Sequence, residues 1–218
     1  MLPRVLEPEL MDTPEEARDY DAMDHRAVNE LFVRDFLAVW DGRNPVLDVG
    51  TGTAQIPVTL CQQHARAQVV AVDLAGHMLA LARSNVERAG LTHRILIQQA
   101  DAKALPFPDG TFPAVISNSL VHHIARPELV LREMWRVLIS GGVLFVRDLM
   151  RPDHDAEVER LVRTYAGSAN AHQQAMFEAS LRAALTLQEM RQLVSGLGYG
   201  SDCVQATSDR HWTCVLHR

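Results

Sequence analysis

The chain has few cysteines, few aromatic residues and no long apolar run, and each shortage excludes a class of protein. Its three cysteines, Cys61, Cys203 and Cys214, are odd in number and far apart, which argues against a disulfide framework or a paired zinc-ligand motif. The strongly apolar runs, such as residues 143–146, are far shorter than a membrane span. The first residues show no basic stretch followed by an apolar one, so no secretory signal is expected. These absences predict a cytoplasmic protein without a membrane span.

Positive charge is also scarce. The sequence has 21 lysines and arginines against 27 aspartates and glutamates, which gives a net charge of −6. Without a basic run, binding to nucleic acid through its phosphates is not expected. A length of 218 residues with 47% hydrophobic residues suits one domain with a sizeable core. Because aromatic residues make up only 6%, that core must be mostly aliphatic.

From Pro45 onwards, short apolar runs alternate with segments of helical periodicity. The pattern predicts buried strands at residues 46–49, 68–73, 94–99, 114–118 and 143–148. Helical segments lie between them, as in βαβ units, so a parallel sheet covered on both faces is expected.

The last third of the chain is predicted to be helical and then to end in two strands. One helical stretch is expected at about residues 156–184, and the capping box Thr186–Glu189 predicts the start of another helix. Strands are expected at 203–206 and 211–216, joined by a turn too short for a parallel crossover. The prediction is therefore an α/β, Rossmann-like, seven-stranded sheet, mostly parallel, with an antiparallel last strand and helices on both faces.

The domain organisation predicted from this pattern has two parts. Residues 1–40 are expected to form a helical cap, and residues 41–218 a ligand-binding domain. A helical lid is expected to be inserted at about residues 150–185.

The first segment that carries chemistry is Val-Leu-Asp-Val-Gly-Thr-Gly-Thr-Ala at residues 46–54. Gly50 and Gly52 permit a tight turn between a strand and a helix, whose N-terminal N–H groups attract negative ligand groups. Asp73 ends the next strand, where a carboxylate can accept hydrogen bonds from both hydroxyls of a ribose. Such a site suits either a dinucleotide or an adenosyl ligand.

Three further details favour the adenosyl ligand. The third glycine of a dinucleotide fingerprint is replaced by Ala54 or Gln55. Asp48 precedes the glycines and would repel a pyrophosphate, whereas it suits a cationic ammonium or sulfonium. Asp101 ends the third strand, where it can accept a hydrogen bond from an adenine amine.

These segments resemble the class I S-adenosylmethionine-dependent methyltransferases, in particular the small-molecule group related to ubiquinone and menaquinone biosynthesis (methyltransferase type 11). The most specific matches are Leu-Pro-Phe-Pro-Asp-Gly-Thr-Phe at 105–112 and Ser-Asn-Ser-Leu-Val-His-His-Ile at 117–124. The resemblance covers about residues 40–150. Ala54 and Pro113 depart from it, where many members have glycine and aspartate.

The resemblance implies S-adenosylmethionine as the cofactor and a small molecule as the methyl acceptor, with a monomer or homodimer expected. It implies that Asp48, Gly50, Thr51 and Gly52 lie at the methionine part and Asp73 at the ribose. The other residues that the resemblance assigns to the cofactor are Leu74 and Met78 near the ribose and adenine, Asp101 and Ala102 at the adenine, Asn118 at the methionine amino group, and Tyr20 from the cap.

Candidates for contact with the acceptor follow the later strands, because ligands lie beyond the carboxyl ends of parallel strands. They are His122 and His123 after the fourth strand, Arg147 and Asp148 at the end of the fifth, and Asp209, Arg210, His211 and Trp212 in the last hairpin. Of these, His122, His123, Asp148 and His211 are the predicted catalytic residues. No metal site is predicted, since Asp153, His154 and Asp155 are adjacent and suit a solvated loop.

Two other functions stay open at this point. One is a nicotinamide-dependent oxidoreductase of the Rossmann type, which Ala54, Asp48 and the antiparallel last strand disfavour. The other is a protein that binds S-adenosylmethionine without transferring a methyl group, since the cofactor residues would be the same.

Overall fold

A seven-stranded, mostly parallel sheet forms the centre of the computed structural model, which describes residues 2–8 and 12–218. The strands are β1 Val46–Val49, β2 Val69–Asp73, β3 Ile95–Gln99, β4 Phe112–Asn118, β5 Leu138–Leu149, β6 Val204–Ala206 and β7 His211–His217. Their order is β3-β2-β1-β4-β5-β7-β6. β1 to β5 pair in parallel, whereas β7 runs antiparallel to both β5 and β6. The predicted fold class is confirmed.

Helices cover both faces of the sheet. Those of the described chain are α1 Pro14–Ala22, α2 Arg26–Leu37, α3 Gln55–Gln63, α4 Gly76–Arg88, α5 Pro127–Val137, α6 Asp155–Ala166, α7 Ala171–Ala183 and α8 Leu187–Ser195. Helices α2, α3 and α4 pack on one face, and α5 and α8 on the other.

Alternation along the strands divides the apolar residues between these two faces. Val46 and Phe145 lie in the core under α2, α3 and α4, whereas their neighbours Leu47 and Val146 lie in the core under α5 and α8. All four side chains are almost fully buried. This two-residue period is the reason that the parallel strands are apolar on both sides.

The helical stretch predicted at 156–184 is two helices, α6 and α7, and not one. Asn170 caps α7: its side chain accepts from the Gln173 backbone N–H, and the Gln173 side chain accepts from the Asn170 N–H. This capping box marks the start of a new helix, because it pairs N–H groups that have no partner within the first turn of a helix. The capping box predicted at Thr186 and Glu189 is confirmed at the start of α8.

β5 begins earlier than predicted, at Leu138, and passes through the two glycines that were expected to precede it. A Cβ on Gly142 would lie 2.9 Å from the backbone oxygens of both Ile139 and Pro113. Beside it, the pairing of β4 with β5 shifts register between Phe112 and Ala114. The glycine therefore permits close backbone packing at a strand irregularity, which periodicity alone does not reveal.

The first 40 residues divide between two places. Ala17 and Tyr20 of α1 pack against Ala75 and Met78 at the start of α4. Helix α2 instead belongs to the main core, where Phe32 is fully buried. Among the described residues of this segment, α1 therefore lies where a cap over the carboxyl ends of the strands would lie, whereas α2 does not.

In the described part of the chain, no helix combines the length and the apolar character needed to cross a membrane.

Candidate functional site

A cleft opens at the carboxyl ends of β1, β2 and β4. It lies where the strand order reverses between β1 and β4, the position at which α/β sheets bind ligands. The cleft is open to solvent at its mouth, and backbone and side chains from several strand ends line its walls. Of the predicted cofactor residues, those that line it are Tyr20, Gly50, Gly52, Asp73, Leu74, Met78, Asp101, Ala102 and Asn118.

The glycine turn forms one wall of this cleft. Gly50 and Gly52 have φ angles of +77° and +54°, and the N–H groups of Gly50 and Thr51 both donate to the Val72 carbonyl. Ala54 also has a left-handed φ of 60°, a conformation that favours glycine. This explains in physical terms why glycine is common at that position and shows that alanine retains the turn.

Asp73 links the glycine turn to the start of α4. Its Oδ2 accepts from the Gly52 N–H at 2.8 Å, and its Oδ1 accepts from the Ala75 N–H at 2.9 Å. A carboxylate has about four lone-pair positions, so roughly two remain for ligand hydroxyls. Burial raises the pKa of Asp73, and the hydrogen bonds from Ala75 and Gly52 oppose that rise.

Asp48 and Thr51 are both buried behind the glycine turn, and neither of them lines the cleft. Asp48 is 2% exposed, and its Oδ2 lies beyond hydrogen-bond geometry from any described partner, as does Thr51 Oγ1. Burial raises the pKa of Asp48 to about 7, although the nearby Thr51 side chain opposes the rise. A buried carboxyl oxygen without a full hydrogen bond is costly, and a cation beside it would relieve the cost.

Asn118 and Ser119 form the opposite side of the cleft at the end of β4. Asn118 Oδ1 is buried and without a hydrogen-bond partner among the described residues. Ser119 has a left-handed φ of 54°, which costs about 1–2 kcal/mol for a residue with a side chain. An unsatisfied oxygen next to a strained residue is a feature of ligand sites.

The far end of the cleft combines an acid with apolar side chains. Asp101 Oδ1 accepts from the Lys103 N–H at 2.8 Å and pairs with Lys103 Nζ at 3.0 Å. Leu74 is 37% exposed in the cleft wall, with Met78 and Ala102 also lining it. An exposed leucine beside such a carboxylate suits a flat heterocycle that carries an amine.

Tyr20 of α1 closes the cleft over the glycine turn. Its Cε1 would lie 3.6 Å from a Cβ built on Gly52. Burial, together with Asp73, Asp48 and Asp21, raises the pKa of Tyr20 to about 12, so its hydroxyl stays protonated and can donate a hydrogen bond.

Of the four predicted catalytic residues, all of them described, His123 lines the cleft, whereas His122 and Asp148 lie behind it and His211 elsewhere. His122 Nδ1 lies 2.5 Å from Asp148 Oδ1. Burial lowers the pKa of His122, but the Asp148 carboxylate outweighs it and the pKa is raised. Burial and the nearby His122 lower the pKa of His123 to about 3, so this imidazole is neutral at pH 7.

The described residues of the last hairpin do not line the cleft. This corrects the expectation that Asp209, Arg210, His211 and Trp212 share its rim. Trp212 is fully buried under α5 and α8 because alternation along β7 points it inward. Asp209 pairs with Arg160 of α6 at 3.0 Å. Burial and Arg210 lower the pKa of His211 to about 4.

Arg147, also expected at the rim, is instead buried and pairs with Asp35 Oδ2 at 2.7 Å. Its guanidinium also donates to Thr213 Oγ1. It therefore joins α2 to the sheet.

Some residues at the site were not predicted from the sequence. Leu120 and Ile124 line the cleft, although they belong to the 117–124 segment that carries the family resemblance. Glu7 lies beside His122 and His123, at 3.4 and 3.2 Å from their ring nitrogens. Its contact joins parts of the chain that are far apart in sequence, so no local pattern indicates it.

Replacing Gly50 by alanine should destabilise the protein by about 2–5 kcal/mol. The new Cβ would lie 2.9 Å from three carbons of Leu120 while the residue keeps its left-handed φ, so steric overlap adds to backbone strain. Urea unfolding measures the loss. The control is Gly42→Ala, where φ is +86° but nothing lies within 4 Å, so only strain of about 1–2 kcal/mol is expected. Equal losses in the two variants would contradict the close contact with Leu120.

Comparison with known proteins shows similarity to methyltransferases. Residues 47–146 match the family model described as a methyltransferase domain. The chain is 41% identical over 120 residues to a demethylmenaquinone methyltransferase of Thermus thermophilus, covering 55% of this chain and 54% of that protein. It is 35% identical over 129 residues to a phosphatidylethanolamine N-methyltransferase of Cereibacter sphaeroides, covering 58% and 62%. The chain thus spans little more than half the length of these curated relatives.

A solved structure shows the likeness of the fold over almost the whole chain. The crystal structure of a SAM-dependent methyltransferase from Aquifex aeolicus aligns with a TM-score of 0.65 at 18% identity, covering 93% of this chain and 97% of that one. At 18% identity this comparison shows similarity of the fold alone.

Proposed function

We propose that this chain, whose residues 47–146 match a methyltransferase-domain family model, transfers the methyl group of S-adenosylmethionine to a small-molecule acceptor. One observation carries the proposal. The cleft at the switch point of the sheet combines carboxylates with orphaned polar atoms and an exposed apolar wall. A ligand that is cationic at one end, carries a diol in the middle and ends in a flat heterocycle would pair with the carboxylates, the unpaired polar atoms and the apolar wall.

The residues that line the cleft, with Asp48 and Thr51 behind the glycine turn, fit such a cofactor part by part. Asp73 is proposed to accept from the ribose hydroxyls with its remaining lone pairs, and Asp101 from the adenine amine. Leu74 and Met78 supply the apolar surface for the adenine, with Ala102 beside them. Those proposed for the methionine part are Asp48, Thr51, Asn118, the backbone of Gly50 and Gly52, and the Tyr20 hydroxyl as a donor.

The carboxylates of the cleft also argue against a nicotinamide dinucleotide. Asp48 is buried behind the glycine turn and Asp73 is half-buried at it, where a pyrophosphate would have to approach. The Asp73 carboxylate, joined at pH values above about 7 by an ionised Asp48, would repel it. The oxidoreductase alternative is therefore disfavoured by charge.

The chemistry that these residues must add is modest. When bound, S-adenosylmethionine supplies a methyl group on a cationic sulfur, a carbon that an aligned lone pair displaces directly. The chain has to hold the acceptor in line and exclude water. Tyr20 and the 120–124 segment enclose the region where the acceptor would lie.

His123 is the predicted catalytic residue that can contact the acceptor, and His122 with Asp148 supports it from behind; His211 is proposed only as a more remote candidate. Because the pKa of His123 is near 3, it is a weak base at neutral pH. The names of the two relatives give different acceptors, demethylmenaquinone and phosphatidylethanolamine, so the acceptor itself is left open.

The test of methyl transfer is the formation of S-adenosylhomocysteine during incubation with S-adenosylmethionine and fractionated metabolite pools. At least one pool should give product that depends on the protein, and Gly50→Ala should abolish it. Binding of the cofactor without turnover in any pool would favour a binder that does not transfer methyl groups.

We propose in addition a cytoplasmic location, a helical cap and lid around residues 1–40 and 150–185, and a monomer or homodimer. All three cysteines are free, and two of them are buried, which suits a reducing compartment. The N-terminus of α7 contacts α1 through His172 and Asp19, whose atoms Nδ1 and Oδ2 lie 2.9 Å apart. That contact brings the two halves of the proposed cover together.

A further inference from the structure

A cluster of three metal-binding side chains lies at the wall of the cleft, apart from the residues proposed for the cofactor. Glu7 Oε1 lies 3.4 Å from His122 Nε2 and 3.2 Å from His123 Nδ1. The three side chains are only 10%, 3% and 16% exposed. One ligand atom from each lies within 4.8 Å of the others.

The contacts within this cluster are not ordinary hydrogen bonds. His123 Nδ1 is buried and has no hydrogen-bond partner among the described residues, although the Glu7 carboxylate is close. Glu7 itself accepts from Ser180 Oγ at 3.2 Å. One carboxylate oxygen therefore lies near two imidazole nitrogens, while its hydrogen bond is with Ser180.

Asp148 holds His122 in the form that a metal ligand requires. Its Oδ1 lies 2.5 Å from His122 Nδ1, and its Oδ2 accepts from the His122 backbone N–H at 3.1 Å. The Leu149 N–H fixes the same carboxylate at 2.6 Å. When Nδ1 donates to Asp148, Nε2 carries the lone pair that a metal ion binds, the usual carboxylate–histidine–metal arrangement.

The distances agree with donors around one ion. With bonds of about 2.0–2.1 Å, neighbouring donors of a tetrahedral zinc site are about 3.3–3.4 Å apart. Glu7 Oε1 has nearly this separation from each histidine nitrogen. Two imidazoles and one carboxylate are a donor set that zinc takes, with a fourth position left for an oxygen ligand.

We propose that Glu7, His122 and His123 form a binding site for one divalent transition-metal ion, of which Zn²⁺ fits best, oriented by Asp148. His123 also lines the cleft, so the ion would lie at the wall that faces the acceptor region. The site does not depend on the proposed methyl transfer.

The segment that carries Glu7 is fixed in place by its neighbours. Arg4 donates to the carbonyls of Ala183, His122 and Ile124, and the Val5 N–H donates to the Arg182 carbonyl. Glu7 is thus held between α7 and the histidines before any ion binds, which lowers the entropy cost of binding. The competing state is a protonated His122 shared by Glu7 and Asp148.

Equilibrium dialysis of the full chain, free of any tag and stripped with chelator, against micromolar Zn²⁺ or Co²⁺ tests the proposal. We expect one ion per chain. Glu7→Gln and His123→Asn should each weaken binding at least tenfold, and Asp148→Asn about 10–100-fold. His93→Asn, an exposed histidine, is the matched control and should bind as the wild type does.

Glu7→Gln carries the test because the amide keeps the size of the side chain and an acceptor for Ser180, so folding should be retained. Circular dichroism checks this. No uptake by the wild type would overturn the metal site and favour the protonated His122. Equal uptake by the wild type, Glu7→Gln and His123→Asn would also overturn it. Calorimetric titration of the same samples with S-adenosylmethionine tests the proposed cofactor separately.

Discussion

Asp73→Ala is expected to weaken binding of S-adenosylmethionine at least tenfold. The wild-type carboxylate holds the Gly52 and Ala75 N–H groups at 2.8 and 2.9 Å, and its remaining lone pairs face the cleft region proposed for the ribose. Removing it loses charge-assisted hydrogen bonds and loosens the glycine turn, so the two effects act in the same direction. Isothermal titration calorimetry with S-adenosylmethionine and S-adenosylhomocysteine measures the loss.

Two control variants separate these effects. Asp73→Asn keeps the size but places an amide NH₂ against one of the two N–H donors, so it should lose affinity while still folding. Asp202→Ala removes an exposed aspartate and should leave affinity unchanged. If Asp73→Ala bound as tightly as the wild type, the ribose would not lie at the end of β2.

Asp48→Asn is expected to stabilise the ligand-free protein at pH 8 by up to about 4 kcal/mol. The pKa of this buried carboxyl is raised from 3.8 to about 7. Between these values the unfolded chain loses the proton that the folded chain keeps, so stability falls as pH rises. Asparagine removes that cost, and its benefit should be small near pH 4 and complete above pH 7.

Urea unfolding of both proteins at pH 5 and pH 8 measures this difference, which should be larger at pH 8. Asp153→Asn, an exposed aspartate, serves as the control. Asp48→Asn should also weaken binding of the cationic cofactor at pH 8, because the variant lacks the ionised carboxylate that offsets the positive charge of the cofactor. An Asp48→Asn variant less stable than the wild type at pH 8 would show that Asp48 is not strained in the folded state.

The part of the site that the sequence predicts well is the part built from strand ends. Gly50, Gly52, Asp73 and Asp101 lie at or just beyond the ends of β1, β2 and β3, and parallel strands bring these ends to one edge. Because hydrophobic periodicity predicts the strands, it also predicts which acids share the cleft.

What the sequence could not predict depends on packing between distant segments. Glu7 reaches the histidines only because Arg4 and Ser180 fix its segment against α7. Trp212 is a different case: alternation along β7 with Cys214 and Leu216, which are also buried, indicates its inward position. The two-residue period of β7 decides where Trp212 points, and the charged turn before it does not.

Calorimetric titration of the wild-type chain with S-adenosylmethionine, S-adenosylhomocysteine and NADH tests the central claim most directly. The charges and shape of the cleft predict that one molecule of either sulfur ligand binds per chain and that NADH does not bind. Tight binding of NADH without either sulfur ligand would contradict the assignment of the cleft.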